Sequence, residues 1–114
     1  MEGFVRQSLL YDFYGDLLTQ HQKEIYEAYV LQNLSLGEIA EEVGISRQAV
    51  HETINRAAAR LNEMESSLGV AARFRKMEAG LGEALSALRN ADYNRAEVLL
   101  SDLLALDQEE TDGL

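Results

Sequence analysis

Residues 35–55 read SLGEIAEEVGISRQAVHETIN, which has the pattern of two short helices joined by a tight corner. Ser35 and Glu38 have the spacing of an S-x-x-E capping box, which starts a helix. Gly44 stands where that helix must end, at a position that favours a positive φ. Ser46 can then cap a second helix. The spacing therefore predicts a helix-turn-helix.

The inward and outward faces of this segment separate at helical spacing. Its inward positions are small or branched apolar side chains, at Ile39, Ala40, Val43, Ile45, Val50 and Ile54. Its outward positions are polar, and the residues that we predict to bind nucleic acid are Ser46, Arg47, Gln48, His51, Glu52, Asn55, Arg56 and Arg60. In DNA-binding versions of the motif, the start of the second helix enters the major groove. Arg47 suits the edge of guanine and Gln48 the edge of adenine, whereas Arg56 and Arg60 suit phosphates.

The same polar residues also have an ordinary interpretation. Arginines on a helix surface commonly pair with neighbouring acids, here Glu52 or Glu63, and contribute little to stability. His51 gains charge only below neutral pH and is more often a surface polar residue. A helix-turn-helix whose outer face binds no nucleic acid is therefore an alternative that the sequence leaves open.

The composition favours one helical domain with an appended segment, in a reducing compartment. The 114 residues include no proline and no cysteine, and 46% are apolar, which is enough for a core. The formal net charge of −10 argues against indiscriminate binding of nucleic acid, because neutralising phosphates supplies most of that affinity. Residues 46–62 are nevertheless net positive, with three arginines against one glutamate, whereas residues 91–114 hold seven acids against one arginine.

Two helices are predicted before the motif. The first covers about 4–18, and its apolar face consists of Leu10, Phe13, Tyr14, Leu17 and Leu18. The second covers about 20–32 and begins at a Thr19–Gln22 capping box. Most of the aromatic residues fall in these two helices, and their helical spacing is more typical of a core than of a base-stacking or ligand site.

After the motif, the apolar pattern continues as a heptad seam. The seam consists of Val50, Ile54, Ala57, Leu61, Met64, Leu68 and Ala71. We expect it to pack on a partner helix, in a homodimer formed through residues 50–104. Gly69 marks the natural place for a break, although a continuous helix stays open as an alternative. Asp92 can cap a last helix over about 93–106.

These patterns predict an all-α fold, namely a helix-turn-helix bundle without a wing, followed by a long C-terminal helical extension. We place the helix-turn-helix domain at residues 1–62. The extension, a dimerisation or partner-binding segment, follows at residues 63–106, and an acidic frayed tail at residues 107–114.

No catalytic chemistry is recognisable in the sequence. His21 and His51 have no metal-ligand spacing, and there is no phosphate-binding loop, dinucleotide loop or nucleophile elbow. We therefore expect no enzymatic activity, no catalytic residues, no metal and no cofactor. The absence of a signal peptide and of an apolar run long enough to span a bilayer predicts a soluble cytoplasmic protein.

Residues 17–19 with Gln22, and residues 35–50, resemble the YlxM-type family of bacterial helix-turn-helix proteins, which is linked to the signal recognition particle. The lead segment LYDFY at residues 10–14 is similar too, and the likeness covers residues 4–76. The central module also resembles the promoter-reading C-terminal domain of bacterial sigma factors, in which a G-[IV]-S-R turn opens the recognition helix. This second resemblance implies that the reading positions are Ser46, Arg47, Gln48, His51, Glu52 and Asn55.

The YlxM resemblance implies a regulatory protein that takes part in the signal recognition particle pathway, with the particle's protein, RNA or receptor as a partner. The alternative is a sequence-specific DNA-binding transcriptional regulator that acts as a homodimer. A second alternative is a helical protein-interaction module. The sequence alone does not choose between DNA, RNA and protein as the ligand.

Overall fold

The computed structural model describes the backbone of residues 2–112 and the side chains of residues 3–106. Its helices, in chain order, are α1 (Glu2–Tyr14), a short 3-10 turn (Gly15–Leu17), α2 (Gln20–Val30), α3 (Leu36–Val43), α4 (Arg47–Leu68), α5 (Val70–Arg89) and α6 (Tyr93–Asp112). No β-strand occurs within residues 2–112, and the predicted all-α class is confirmed.

The chain divides into two compact units, Met1–Ala71 and Ala72–Leu114. In the first unit, α1, α2 and α3 all pack against α4, which is the central helix. The buried cluster of this unit consists of Leu10, Tyr11, Tyr14, Leu18, Ile25, Tyr26, Ala28, Val30, Ile39, Ala40, Val50, Ile54, Ala57, Leu61 and Ala71. The unit extends past residue 62 because the core includes Ala71, and α4 is held in the fold along most of its length.

The heptad seam of α4 is covered inside this unit. Val50, Ala57 and Leu61 are fully buried and Ile54 is nearly so. The expectation that this part of the seam packs on a second copy is wrong, because α1, α2 and α3 supply the covering side chains. A periodic apolar stripe reveals which face of a helix is buried, and the covering element can equally come from the same chain.

The first helix ends earlier than its apolar spacing predicts. α1 stops at Tyr14 and the 3-10 turn follows, so the rotation of the last residues changes. Leu18 is buried as predicted, whereas Leu17 is 62% exposed and Phe13 is 36% exposed. The two predicted core positions Phe13 and Leu17 are therefore at the surface.

The break after α4 falls at Gly69, which has a φ of 64°. Three hydrogen bonds fix the junction. The Tyr14 hydroxyl donates to Glu65 Oε1 at 2.6 Å and accepts from the Val70 amide at 3.0 Å, and the Ala71 amide donates to Glu65 Oε1 at 3.0 Å. The sequence left open a break at Gly69 or a continuous helix, and the structure has the break.

The second unit is a helical hairpin of α5 and α6. Its turn is tight: Ala91 has a φ of 57°, the Asp92 amide donates to the Ala87 carbonyl at 2.8 Å, and Asp92 Oδ1 accepts from the Arg95 amide at 3.2 Å, which is the predicted cap. The helices approach closely at Gly80, where an added Cβ would lie 2.6 Å from Leu103 Cδ2.

The backbone of α6 continues to Asp112, beyond the predicted helix end at residue 106. Residues 113 and 114, and the side chains from residue 107 onward, lie outside the described residues. The acidic frayed tail at residues 107–114 therefore stays a prediction from the sequence.

Candidate nucleic-acid interface

The first helix of the motif is fixed at its start by a complete capping box. Ser35 Oγ accepts from the Glu38 amide and Glu38 Oε1 accepts from the Ser35 amide, both at 3.1 Å. The hydrogen bonds from the Ser35 backbone and side chain lower the pKa of Glu38 below its ordinary value. The predicted cap is therefore confirmed, with its carboxylate held in the charged form.

The corner between the two helices is made by Gly44, whose φ of 81° lies in the left-handed region. The amides of Gly44 and Ile45 both donate to the Ala40 carbonyl, at 2.9 and 3.1 Å. The second of these is the 6→1 bond of a Schellman turn. Ile45 then lies half-buried against the core, as its place in the pattern predicts.

The second helix of the motif, α4, begins with a different cap. Ser46 Oγ accepts from the Ala49 amide at 3.0 Å, and because the third helical residue is Ala49, no side chain returns a bond as Glu38 does in α3. The first turn of α4 carries no acidic residue. Within that turn no carboxylate offsets the partial positive charge of the helix N-terminus, and Arg47 adds a full positive charge there.

The two faces of α4 differ sharply in exposure. Each side chain in the predicted nucleic-acid-binding set is exposed, namely Ser46, Arg47, Gln48, His51, Glu52, Asn55, Arg56 and Arg60. The opposite face is the buried seam of the first unit. The fold thus holds the helix by one face and presents the other to solvent.

The exposed residues form two groups rather than one. At 100° per residue, Arg47, Gln48, His51 and Asn55 share one sector of the helix at its N-terminal end. Arg60 lies about 20 Å further along the axis than Arg47 and points roughly 170° away from the centre of that sector. The first group is the set that the sequence predicts to contact base edges, and Arg60 is predicted to contact a phosphate.

Two contacts involve side chains at the N-terminal end of α4. Asn55 Nδ2 lies 3.4 Å from His51 Nε2, one helical turn away, and it can donate to that nitrogen when the nitrogen is unprotonated. The Arg47 guanidinium lies against Gly37 of α3, where an added Cβ would stand 2.9 Å from Nη2. Sequence reasoning missed Gly37, although a glycine in the first turn of a helix is itself a sign of close approach.

The other end of α4 is tied to the lead helix by a contact that the sequence did not predict. Arg6 Nη2 donates to Asn62 Oδ1 at 3.1 Å, and Asn62 Nδ2 donates to the Ala58 carbonyl at 2.9 Å. No motif joins residues so far apart in the chain. Arg6 therefore serves to position α4 and lies apart from the predicted site residues.

A separate groove between α2 and α3 is unsuited to phosphates. Glu24, Glu27 and Glu42 line it around an apolar floor that includes Ile39 and Val43. Its acidic rim would repel a nucleic-acid backbone. Val43, which the sequence placed on the inward face, is 38% exposed at this groove.

Among residues 3–106, whose side chains are described, no group of three or more His, Cys, Asp or Glu residues is placed to hold a metal ion. None of the helices described has the length and hydropathy that crossing a bilayer requires.

Comparison with known proteins agrees with this architecture. Residues 1–98 match the family of helix-turn-helix proteins described as YlxM / p13 like, UPF0122. A UPF0122 protein of Symbiobacterium thermophilum is 46% identical over 105 residues, which is 92% of this chain and 98% of that protein. A relative from Acetivibrio thermocellus is 39% identical over 98 residues, covering 86% of this chain and 84% of its own. A third relative, from Thermoanaerobacter, is 51% identical over 69 residues, which is 60% of this chain and 59% of that protein. The chain therefore belongs to the YlxM / p13-like family of helix-turn-helix proteins.

Proposed function

We propose that this protein is a helix-turn-helix regulator that binds nucleic acid with the exposed N-terminal turns of α4. The observation that carries the proposal is the arrangement of Arg47 and Gln48. Both lie exposed on the first turn of a helix whose opposite face is locked into the core, and that turn carries no acidic residue. The side chains suited to base edges thus lie at a helix N-terminus whose first turn contains no carboxylate.

The charge distribution supports selective rather than general binding. The chain is strongly acidic as a whole, while residues 46–62 are net positive. With few phosphate contacts available, the non-specific affinity is low and most discrimination comes from the first turns of α4. A regulator of this kind binds its target sequence and has low affinity for other nucleic acid.

The experiment that tests the proposal starts without assuming a ligand. The full-length protein is isolated from cells after cross-linking, the recovered DNA and RNA are sequenced, and the best ligand is titrated with wild type and Arg47→Ala. We expect Arg47→Ala to weaken binding by roughly 5- to 150-fold and to lose preference over a scrambled ligand, which corresponds to about 1–3 kcal/mol. Arg75→Ala, which removes an exposed arginine from α5, is the matched control and should keep the preference.

Two results would contradict this proposal. One is the recovery of protein alone, with no enriched nucleic acid, which favours the helical protein-interaction module. The other is equal binding by wild type and Arg47→Ala, which removes α4 from the contact.

The regulation, we propose, concerns the signal recognition particle pathway. The support for this step is the YlxM resemblance, together with a net charge that disfavours indiscriminate DNA binding. A pull-down from native lysate should recover the particle's protein, RNA or receptor with wild type and less of it with Arg47→Ala. Repeated recovery of none of the three would reject this pathway while leaving the nucleic-acid proposal intact.

A second candidate function is sequence-specific regulation of transcription by a homodimer on DNA. Arg47 and Gln48 favour it, because a duplex displays guanine and adenine edges to a helix in the major groove. Two copies would read half-sites about 34 Å apart, so inserting half a helical turn between the half-sites should abolish cooperative binding. Binding to a single half-site with the same affinity would exclude the dimeric reader.

A further inference from the structure

We propose that the second unit binds a second copy of itself, so that two α5–α6 hairpins form a four-helix bundle. This inference deepens the homodimer part of the proposed function by naming its surface. It does not depend on whether α4 binds nucleic acid.

The hairpin buries too little of its own apolar surface to be stable alone. Among the described side chains of residues 72–106, those that are fully enclosed are three alanines, Ala84, Ala87 and Ala96. Units of about 40 residues usually need a partner, a metal or a cross-link, because their cores are small. The larger apolar residues of this hairpin lie mostly on its surface.

These exposed apolar residues form two rows at helical spacing. The α5 row consists of Leu81, Leu85 and Leu88, which are 46–51% exposed. The α6 row consists of Tyr93, Leu100 and Leu104, which are 41–69% exposed. Each row recurs every three, four or seven residues, so each follows one face of its helix.

The two rows lie on the same side of the hairpin. The side of α5 that faces α6 carries Gly80 and Ala87, and the α5 row is rotated from it by about a quarter turn. The side of α6 that faces α5 carries Ala96 and Leu103, and the α6 row is rotated from it in the same sense by about a quarter turn. Because the two helices are antiparallel, equal rotations in the same sense bring the rows together. The result is one continuous apolar face.

The two rows set the size of the apolar contact. From Tyr93 to Leu104 the α6 row spans about 17 Å, and two helices packed about 10 Å apart present a face roughly 20 Å wide. The flat area of the rows is therefore roughly 340 Å². A stable interface buries about 800 Å² on each partner, so the rows form its apolar centre and the polar residues that flank them form the rim.

Charge identifies the occupant as a second copy. α5 (Val70–Arg89) contains four basic and two acidic residues, whereas α6 (Tyr93–Asp112) contains one basic and six acidic residues. A two-fold dimer that packs α5 of one copy on α6 of the other joins opposite net charges, and symmetry repeats the match. The charge on α5 of one copy is therefore complementary to the charge on α6 of the second copy.

The test measures the mass of the full-length chain by sedimentation between about 1 and about 100 µM, for wild type and three lysine variants. Leu85→Lys changes the α5 row and Leu104→Lys changes the α6 row. Val98→Lys is the matched control, because Val98 is 60% exposed and lies on α6 outside the row. We expect a wild-type dimer, a Kd raised roughly a hundredfold by either row variant, and a Kd within about twofold of wild type for Val98→Lys.

Two further measurements keep the test informative if a variant loses structure. Circular dichroism at each concentration reports helix content, and the wild-type unfolding temperature should rise with protein concentration because only the folded hairpin associates. A wild-type monomer at every concentration overturns the inference, and so does a mass above two chains. A dimer that all three lysine variants leave unchanged places the interface elsewhere. Arg47→Ala should retain the wild-type mass, which separates failure of this inference from failure of nucleic-acid binding.

Discussion

The guanidinium of Arg47 lies against Gly37, so that a Cβ built on the glycine would stand 2.9 Å from Nη2, 3.1 Å from Nε and 3.2 Å from Cζ. This contact joins the N-terminal end of α4 to the first turn of α3. The arginine is exposed and its end is flexible, so the contact guides the side chain without burying it. A side chain larger than glycine at residue 37 would therefore require the Arg47 guanidinium to shift.

Gly37→Ala should raise the stability of the fold and lower its affinity for nucleic acid. We expect the free energy of unfolding to rise by up to about 1 kcal/mol, because alanine is the better helix former and the arginine can move aside. Nucleic-acid affinity should fall, and a double-mutant cycle with Arg47→Ala should show that the loss requires the arginine. Denaturant titration and ligand titration provide the two measurements. Equal loss of affinity in the presence and absence of Arg47 would contradict the coupling.

Arg60→Ala should act through salt dependence. Its place about 20 Å along the helix from Arg47 suits a phosphate, so its removal should reduce the slope of log K against log salt by about one. The preference between matched and scrambled ligands should stay as in wild type. A change in preference at constant slope would instead identify Arg60 as a base-reading residue.

Gly15→Ala should destabilise the first unit by about 1–3 kcal/mol. An added Cβ would lie 2.7 Å from Tyr11 Cε2, and that ring is held by stacking on Tyr26 at 5.7 Å and by its hydrogen bond to Glu27. Gly3→Ala is the control, since a Cβ at Gly3 meets nothing within 4 Å. Thermal unfolding of both variants gives the comparison, and equal midpoints would show that Tyr11 yields without cost.

Alkaline pH should destabilise the fold. Burial, followed by hydrogen bonds to Glu27 and Glu65, raises the pKa of Tyr11 and Tyr14 above the ordinary value of 10.0. Above about pH 10 the unfolded phenols release protons that the folded ones retain, so the unfolded state binds fewer protons and stability falls as pH rises. Denaturant titration across that range should show the fall, with a shallower slope in Tyr14→Phe. The same slope in both proteins would show that Tyr14 does not contribute to the loss of stability at alkaline pH.

Local signals explain why the motif could be predicted. The bonds that cap it join residues three positions apart, as between Ser35 and Glu38, and the corner depends on the single residue Gly44. The exposure of Arg47 and Gln48 followed from the same spacing. Prediction from sequence succeeds where a short segment contains both partners of each interaction.

Contacts between distant residues explain what the sequence did not predict. The hydrogen bond from Tyr14 to Glu65 spans 51 positions, and that from Arg6 to Asn62 spans 56. No residue pattern marks such pairs. The exposure of Leu17 was missed as well, because the apolar spacing did not reveal that α1 ends at Tyr14 and gives way to a 3-10 turn.

The division of α4 into a buried face and an exposed face has an evolutionary consequence. Because Gln48, His51 and Asn55 lie on the exposed face of this helix, outside its buried stripe, their codons can change with little penalty to folding. Paralogues could therefore diverge in their targets by a handful of substitutions while keeping an unaltered scaffold.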